Sequence, residues 1–216
     1  MFKIKLKITK IIKGGIKYMP NWCFNTIRII GPNKESTEKF FKLLSDWKTE
    51  DNWLGNIVEK SGIDDKKHEK YSCRGSISYL DYDECDQISI DTETAWGPTN
   101  EMWYALIEKY LPDGEFFYTS EEPGCGVYET NEPDLLDKYI YDAWGDTSDL
   151  TEEEAKRYKE AKADESCWEM SYKDLEELIT TLIPVNSKPE DEEELLNLWE
   201  NSNFSSTASI HKWEAA

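Results

Sequence analysis

Two spacings of hydrophobic residues alternate along the first 130 residues of the chain. The segment Trp22–Ile30 is rich in β-branched and aromatic residues and stops at Gly31-Pro32, which predicts a β-strand. Residues 34–48 instead carry apolar side chains at the three- and four-residue spacing of one helix face: Phe40, Leu43, Leu44 and Trp47. A strand followed by an amphipathic helix therefore begins the predicted fold.

The same alternation continues to about residue 130. A second amphipathic helix is predicted to start at Pro98-Thr99 and to end at Leu111-Pro112, and its stripe consists of Met102, Trp103, Leu106, Ile107 and Tyr110. The remaining predicted elements are a short helix over residues 53–60 and strands over 74–80, 87–93, 115–119 and 126–129. This order of elements predicts an α+β body.

From Asn131 onward the pattern predicts helices. Asn131 as a cap and Pro133 in the first turn predict a helix that ends at Gly145 and buries Leu135, Leu136, Tyr139, Ile140 and Trp144. Further helix starts are predicted at Thr151-x-x-Glu154, Ser171-x-x-Asp174 and Ser187-x-x-Glu190, with a closing strand over residues 206–213. We therefore divide the chain into residues 1–18, an α+β domain over 19–130 and an acidic helical region over 131–216.

Residues 1–18 differ from the rest in charge, because they carry six lysines and no acidic residue. They lack the continuous apolar run of a secretory signal. One interpretation is a basic arm that folds back onto the acidic body. The other, which we favour, is that the natural protein begins at Met19 and that this extension is not native.

The charge of the whole chain excludes several functions. Its 216 residues include 45 Asp and Glu against 25 Lys and Arg, which gives a formal net charge of −20. Proteins that bind nucleic acid or anionic membranes directly present Lys and Arg to phosphates, so neither partner is expected. The aromatic content of 13% is too high for a disordered acidic tail.

The cysteines and histidines predict no metal site and no cofactor. The five cysteines are widely spaced, no Cys-x-x-Cys pair occurs, and His68 and His211 are the two histidines. Structural zinc needs clustered thiolate or imidazole ligands. We therefore predict reduced, mostly buried thiols in a cytoplasmic protein. No apolar run approaches the length that spans a bilayer.

Two blocks of sequence carry a family resemblance. The first is MPNWCFNTIRIIGP, from Met19 to Pro32, and the second is Arg74-Gly75-Ser76-Ile77 followed by the run Asp91-Thr92-Glu93-Thr94-Ala95-Trp96-Gly97. In this order they are similar to the YubB/Api-like family of phage and plasmid proteins, and the later Gly124-Cys125-Gly126 fits as well. The resemblance covers residues 19–129. It implies a ferredoxin-like antiparallel sheet with two packed helices and an origin on a mobile element, but no catalytic residues. A Trp-Gly-Thr-Lys motif found in another form of the family is absent here.

Charge is the strongest functional signal. A solvated surface and the preference of acids for helix first turns explain part of the excess. The sharper hypothesis is a non-catalytic interaction protein whose carboxylates occupy a basic nucleic-acid-binding surface of a host protein, as an anti-defence inhibitor would. We predict the binding residues to be an acidic turn (Asp81, Asp83, Glu84 and Asp86) and the start of the last helix (Glu190, Asp191, Glu192, Glu193 and Glu194).

Several alternatives remain open. Asp91 and Glu93 lie on one face of a predicted strand and could share Mg²⁺ in a nuclease, although no ExK triplet follows. A general protein adaptor and a ferredoxin-like RNA binder are also possible. Cys23 could pair with His68 or His211, although no nucleophile motif supports this. The turn after Asp81 resembles a calcium loop but has Asp86 at the glycine position and Thr92 at the glutamate position, so we interpret it as a hairpin turn.

Three tryptophans lie in or beside the matching blocks. Trp22, Trp96 and Trp103 could form a stacking platform for a base or a peptide. Each also falls at a strand or helix-stripe position, where large aromatic side chains usually fill the core. We favour the core interpretation for all three.

Overall fold

The computed structural model describes residues 21–64, 70–83, 86–185 and 187–215. The extension 1–18, Glu84, Cys85 and His68 lie outside these ranges. Within the described residues, no helix is long and apolar enough to cross a membrane.

A six-stranded sheet and three helices form the first part of the protein. The elements, in chain order, are β1 (Trp22–Ile30), α1 (Lys34–Trp47), α2 (Leu54–Ser61), β2 (Gly75–Tyr82), β3 (Gln87–Ala95), α3 (Asn100–Tyr110), β4 (Glu115–Glu122) and β5 (Val127–Thr130). The order in the sheet is β2-β3-β1-β4-β5, and every pair among these strands is antiparallel. The register of β2 on β3 shifts between Ile77 and Tyr79. The predicted elements of this part are confirmed, with β4 three residues longer than expected.

The helices pack on one face of this sheet. The buried cluster joins Ile27 and Ile90 of the central strands to Phe40 and Leu44 of α1 and to Trp103 of α3. The spacing that predicted the two helix stripes therefore reflects burial against a sheet. Asn33 caps α1, because its side chain accepts a hydrogen bond from the Ser36 N–H.

The second part is mixed α and β, which corrects the prediction of a helical region with one closing strand. Its elements are β6 (Tyr139–Ala143), α4 (Glu152–Glu160), β7 (Cys167–Met170), α5 (Tyr172–Leu182), α6 (Glu192–Glu200), a 3-10 helix (Asn203–Ser206), β8 (Ala208–Lys212) and β9 (Glu214–Ala215). A three-stranded sheet has the order β7-β6-β8, with antiparallel pairing. The last strand, β9, pairs in parallel with β5 and joins the larger sheet.

The helix predicted between Asn131 and Gly145 is wrong. Turns occupy its first half, and β6 occupies its second half as the central strand of the small sheet. Tyr139, Ile140 and Tyr141 are all buried, as expected for a strand covered on both faces. Such a continuous apolar run does not distinguish a strand from a buried helix.

Two of the three further helix starts are confirmed. Thr151 and Glu154 form a capping box on α4, and the Ser171 side chain accepts from the Asp174 N–H at α5. The start predicted at Ser187 is wrong, since α6 begins at Glu192 with Asp191 as its cap. Pro189 disfavours helical backbone at the residue before it, so the helix begins later.

Candidate functional site

The face of the six-stranded sheet that points away from α1 and α3 is partly uncovered. Burial alternates along β1, where Cys23, Asn25, Ile27 and Ile29 point to the helices. The residues of β1, β2, β3 and β4 that point to the opposite side form what we call the open face. They include Trp22, Phe24, Thr26 and Arg28 of β1, Tyr79 and Asp81 of β2, Asp91 and Glu93 of β3, and Phe117, Thr119 and Glu121 of β4.

Three aromatic side chains of the open face are exposed to solvent. Phe24 is 55% exposed, Tyr79 48% and Trp22 44%. Trp96, which follows β3 directly, is 48% exposed, and its backbone N–H donates to the Asn21 carbonyl. The core interpretation is therefore confirmed for the fully buried Trp103 and wrong for Trp22 and Trp96. Trp22 points to the face of the sheet opposite the helices, and Trp96 lies just after the end of β3.

Carboxylates surround these aromatic residues. In the sheet register Phe24 lies opposite Glu93 on β3 and opposite Glu121 on β4, while Asp91 lies opposite Tyr79. The Tyr79 hydroxyl donates to Asp81 at 3.0 Å, and this bond raises the pKa of the tyrosine. In the described part of the chain, none of these four carboxylates forms an ion pair.

Glu121 lies in a less polar environment than the others. Burial raises the pKa of its carboxyl group, and Asp142 of β6 adds to the effect by charge repulsion. The strand predicted for this region ended at Thr119, so sequence reasoning missed Glu121. The signal that could have found it was the continued alternation through the end of β4.

Arg28 occupies the other end of the open face. Its guanidinium lies 4.5 Å from the centre of the Phe117 ring. It also pairs with Glu132 through two bonds, Nε to Oε1 at 3.0 Å and Nη2 to Oε2 at 2.5 Å. Beside it, a cavity of about 410 Å³ lies between the sheet and the segment after β5, and its lining includes Thr26, Thr119, Asp134 and Glu169.

Asn25 holds the strands in register beneath Phe24. Its amide nitrogen lies 2.9 Å from Thr94 Oγ1, 3.1 Å from Thr92 Oγ1 and 3.2 Å from the Cys23 carbonyl, all buried. The Cys23 thiol donates to Asn25 Oδ1 at 3.3 Å. Burial raises the pKa of Cys23 to about 12, so the thiol stays protonated at neutral pH and is a poor nucleophile.

The predicted acidic turn connects β2 to β3, and its carboxylates are used locally. Asp83 Oδ1 accepts from the Gln87 N–H, and the Asp83 N–H donates to the Gln87 carbonyl, which closes the hairpin. Asp86 accepts from the Tyr82 hydroxyl at 3.0 Å and lies 3.6 Å from Lys34. Glu84 lies outside the described residues, so Asp81 is the member of this group that the structure places on the open face.

The predicted acidic start of α6 is also engaged in local structure. Asp191 Oδ1 accepts from the Glu194 N–H, and Glu194 Oε2 accepts from the Glu190 N–H. Glu192 forms an ion pair with Lys212 at 3.0 Å. Glu190 and Glu193 are exposed, and neither forms an ion pair with another described residue.

Asp91 and Glu93 point to the same side of β3, as the nuclease hypothesis requires. Among the described residues, however, no group of three or more His, Cys, Asp and Glu side chains is placed to hold a metal ion. His211 lies on β8, stacked on Tyr128. The four described cysteines are free; Cys23 and Cys73 are buried, Cys167 is half-buried and Cys125 is exposed.

Comparison with known proteins gives no match: no protein-family model, no curated protein and no solved structure is similar to this chain.

Proposed function

We propose that this chain is a non-catalytic interaction protein that binds a basic surface of another protein through the open face of its six-stranded sheet. One observation carries the proposal. Exposed aromatic rings share the partly uncovered face with four carboxylates that form no ion pair among the described residues, whereas the acids of the two predicted clusters are mostly used in local structure. Aromatic residues supply contact area, and carboxylates supply complementarity to Lys and Arg.

The arrangement of the first part of the protein supports a ferredoxin-like assignment. Its chain order is β1-α1-β2-β3-α3-β4 apart from the short helix α2, and its four antiparallel strands are ordered β2-β3-β1-β4. Together with the two sequence blocks, this order is consistent with the YubB/Api-like family. The second part would then be an acidic extension that contacts the open face near Arg28.

The mobile-element origin implied by the resemblance suggests the partner. A phage or plasmid protein with a net charge of −20 would act in the host cytoplasm, on a host protein whose basic surface binds nucleic acid. Occupying that surface would make the chain an anti-defence inhibitor. Because the association is electrostatic, it would be fast and would weaken with added salt.

Affinity capture with matched variants tests this proposal. The tagged protein is incubated with a bacterial host lysate, with and without competitor DNA and RNA, and bound proteins are identified by mass spectrometry. We expect a basic nucleic-acid-binding protein that the competitor displaces. Capture that is indifferent to nucleic acid would instead indicate a general adaptor.

Two charge-reversal variants assign the surface. The first double variant, Asp91→Lys with Glu93→Lys, reverses two charges on the open face. The second, Glu190→Lys with Glu193→Lys, reverses two exposed charges before and in α6. We expect the first pair to abolish capture and the second to leave it nearly unchanged. Loss of capture in the second pair alone would contradict the open face and favour the α6 cluster. Magnesium-dependent cleavage of DNA or RNA that Asp91→Ala abolishes would contradict a non-catalytic function.

A further inference from the structure

The open face already holds one arginine, Arg28, and its contacts show how a ring and a carboxylate on this face bind a guanidinium group. Arg28 places its guanidinium over the Phe117 ring, which lies opposite it on β4. Its N–H groups donate to both carboxylate oxygens of Glu132. An aromatic ring beneath the cation and a carboxylate at its edge therefore satisfy the π-face and the donors of the guanidinium together.

Four residues along β1, the same components recur around Phe24, and no cation of the described residues lies over its ring. Phe24 is directly opposite Glu93 on one neighbouring strand and Glu121 on the other. Side chains opposite each other in antiparallel strands have Cβ atoms about 4.5–5.5 Å apart. The exposed ring thus has a carboxylate on each side, and within the described residues neither carboxylate forms an ion pair.

We infer that Phe24, Glu93 and Glu121 form a receptor for an arginine side chain of the partner protein. The guanidinium would lie over the Phe24 ring and donate N–H bonds to the carboxylates on its two sides. This inference rests on the proposed function and names the chemical group that the open face recognises.

Arginine fits this arrangement better than lysine does. The guanidinium is planar and carries donors in several directions, so it can stack on a ring while it bonds to two carboxylates. An ammonium group is a compact, strongly hydrated point charge and loses more hydration on such a surface. Trp22, two residues before Phe24 on the same face, adds apolar surface for the aliphatic part of the side chain.

The environment of Glu121 supports the presence of a cationic ligand. Its carboxyl group is partly withdrawn from water and lies near Asp142, and no ion pair among the described residues compensates its charge. A guanidinium bound beside it would supply that compensation. Glu121 is therefore the carboxylate whose charge state should respond most to the ligand.

Titration with short peptides, followed by two-dimensional NMR of the full chain, tests the receptor. The probes are Gly-Gly-Arg-Gly-Gly and Gly-Gly-Lys-Gly-Gly with blocked termini, which differ in one side chain. We expect saturable shifts in residues 22–26, 91–95 and 119–122 with the arginine peptide and weaker binding of the lysine peptide. Equal binding of the two peptides, or no saturable shift at these residues, would overturn the inference.

Variants measure separately how the Phe24 ring and the neighbouring carboxylates contribute to peptide binding. Phe24→Leu keeps an apolar side chain but removes the π-face, and should weaken the arginine peptide roughly two- to five-fold, while Phe24→Tyr retains binding. Glu93→Gln with Glu121→Gln should reduce binding further. The same charge change at Glu152→Gln with Glu153→Gln, in α4, should have no effect. Equal losses in the two glutamine pairs would show non-specific attraction and contradict the receptor.

The outcome is separable from that of the proposed function. If the peptide titration fails while the Asp91→Lys and Glu93→Lys pair still abolishes capture of the basic partner, the open face is an interaction surface without an arginine receptor. If the titration succeeds but capture yields no basic partner, the receptor stands and the proposed function does not.

Discussion

His211 of β8 and Tyr128 of β5 stack face to face, with ring centroids 4.0 Å apart and an interplanar angle of 17°. The pair connects the two sheets of the protein. Ile140 and Trp213 are buried beside Tyr128 in the same small cluster. The contact between the sheets is therefore aromatic and apolar at its centre, and the titratable side chains of His211 and Asp142 lie at its border.

Stability should depend on the protonation of His211. Burial lowers its pKa below 6.5, an effect that nearby Asp142 partly opposes, so the native state favours the neutral ring. The unfolded chain takes up a proton near pH 6.5, and folding stability is then lost as the pH falls through that value and the lower native pKa. Urea unfolding between pH 5 and 8 should show this slope, and His211→Gln should flatten it. An unchanged slope in the variant would contradict the assignment.

Glu121→Gln should stabilise the fold at pH 7. The raised pKa of Glu121 means that the native state favours the protonated form, so the charged carboxylate opposes folding above its unfolded pKa of 4.5. Glutamine removes that opposition, and its advantage should vanish as the pH falls below about 4. Thermal unfolding at pH 7 and pH 4 measures both effects. Glu93→Gln is the comparison at the same face, and an equal gain there would argue against burial as the cause.

Removing the Asn25 side chain should destabilise the folded state. Asn25→Ala removes the buried hydrogen bonds that Asn25 makes to the Thr92 and Thr94 hydroxyls and to the Cys23 thiol, and losing the partner of a buried polar group costs about 1–3 kcal/mol. Thr26→Ala, one residue along β1 on the exposed side, should change stability by less than about 0.5 kcal/mol. Denaturant unfolding of both variants checks the difference, and equal losses would contradict the role of Asn25.

The Arg28–Glu132 pair should contribute a measurable coupling. Its side chains are 35% and 19% exposed, so solvent screens the pair only in part. A double-mutant cycle with Arg28→Met and Glu132→Gln should give a coupling on the order of 1 kcal/mol. The coupling should decrease in 1 M salt. A coupling indistinguishable from zero at low salt would mean that this ion pair does not help to hold the segment after β5 on the sheet.

The fold could be predicted where the spacing of hydrophobic residues was compatible with only one type of secondary structure. The stripe of α3 and the alternation of β1 each matched a single element, because one side packs against a core and the other does not. Asn131 shows why residues 131–144 were different. Its side chain accepts from the Tyr118 N–H at 2.8 Å and donates to the Phe116 carbonyl at 2.7 Å. A residue with the sequence pattern of a helix cap therefore serves β4 instead, a long-range contact that no local pattern encodes.

The candidate site was less predictable than the fold. Acidic residues are dense in the runs 81–86 and 190–194, and this density alone predicted those runs as the binding residues. What distinguishes Phe24, Glu93 and Glu121 is the register of three strands that are distant in the chain. That register is set by tertiary pairing, so sequence spacing alone could not bring the three side chains together.

The register shift in β2 has a consequence for the behaviour of concentrated protein. In the described part of the chain β2 is an outermost strand of the six-stranded sheet, and its outer side is paired only at its start, where Ser76 bridges to Trp53 and the Ile77 N–H donates to the Asn52 carbonyl. Exposed strands of this kind are templates on which identical chains can add and grow into fibrils. The irregularity between Ile77 and Tyr79 interrupts the straight row of donors and acceptors, and Asp81 adds charge two residues later. The outer border of the sheet is thereby protected against self-templated growth.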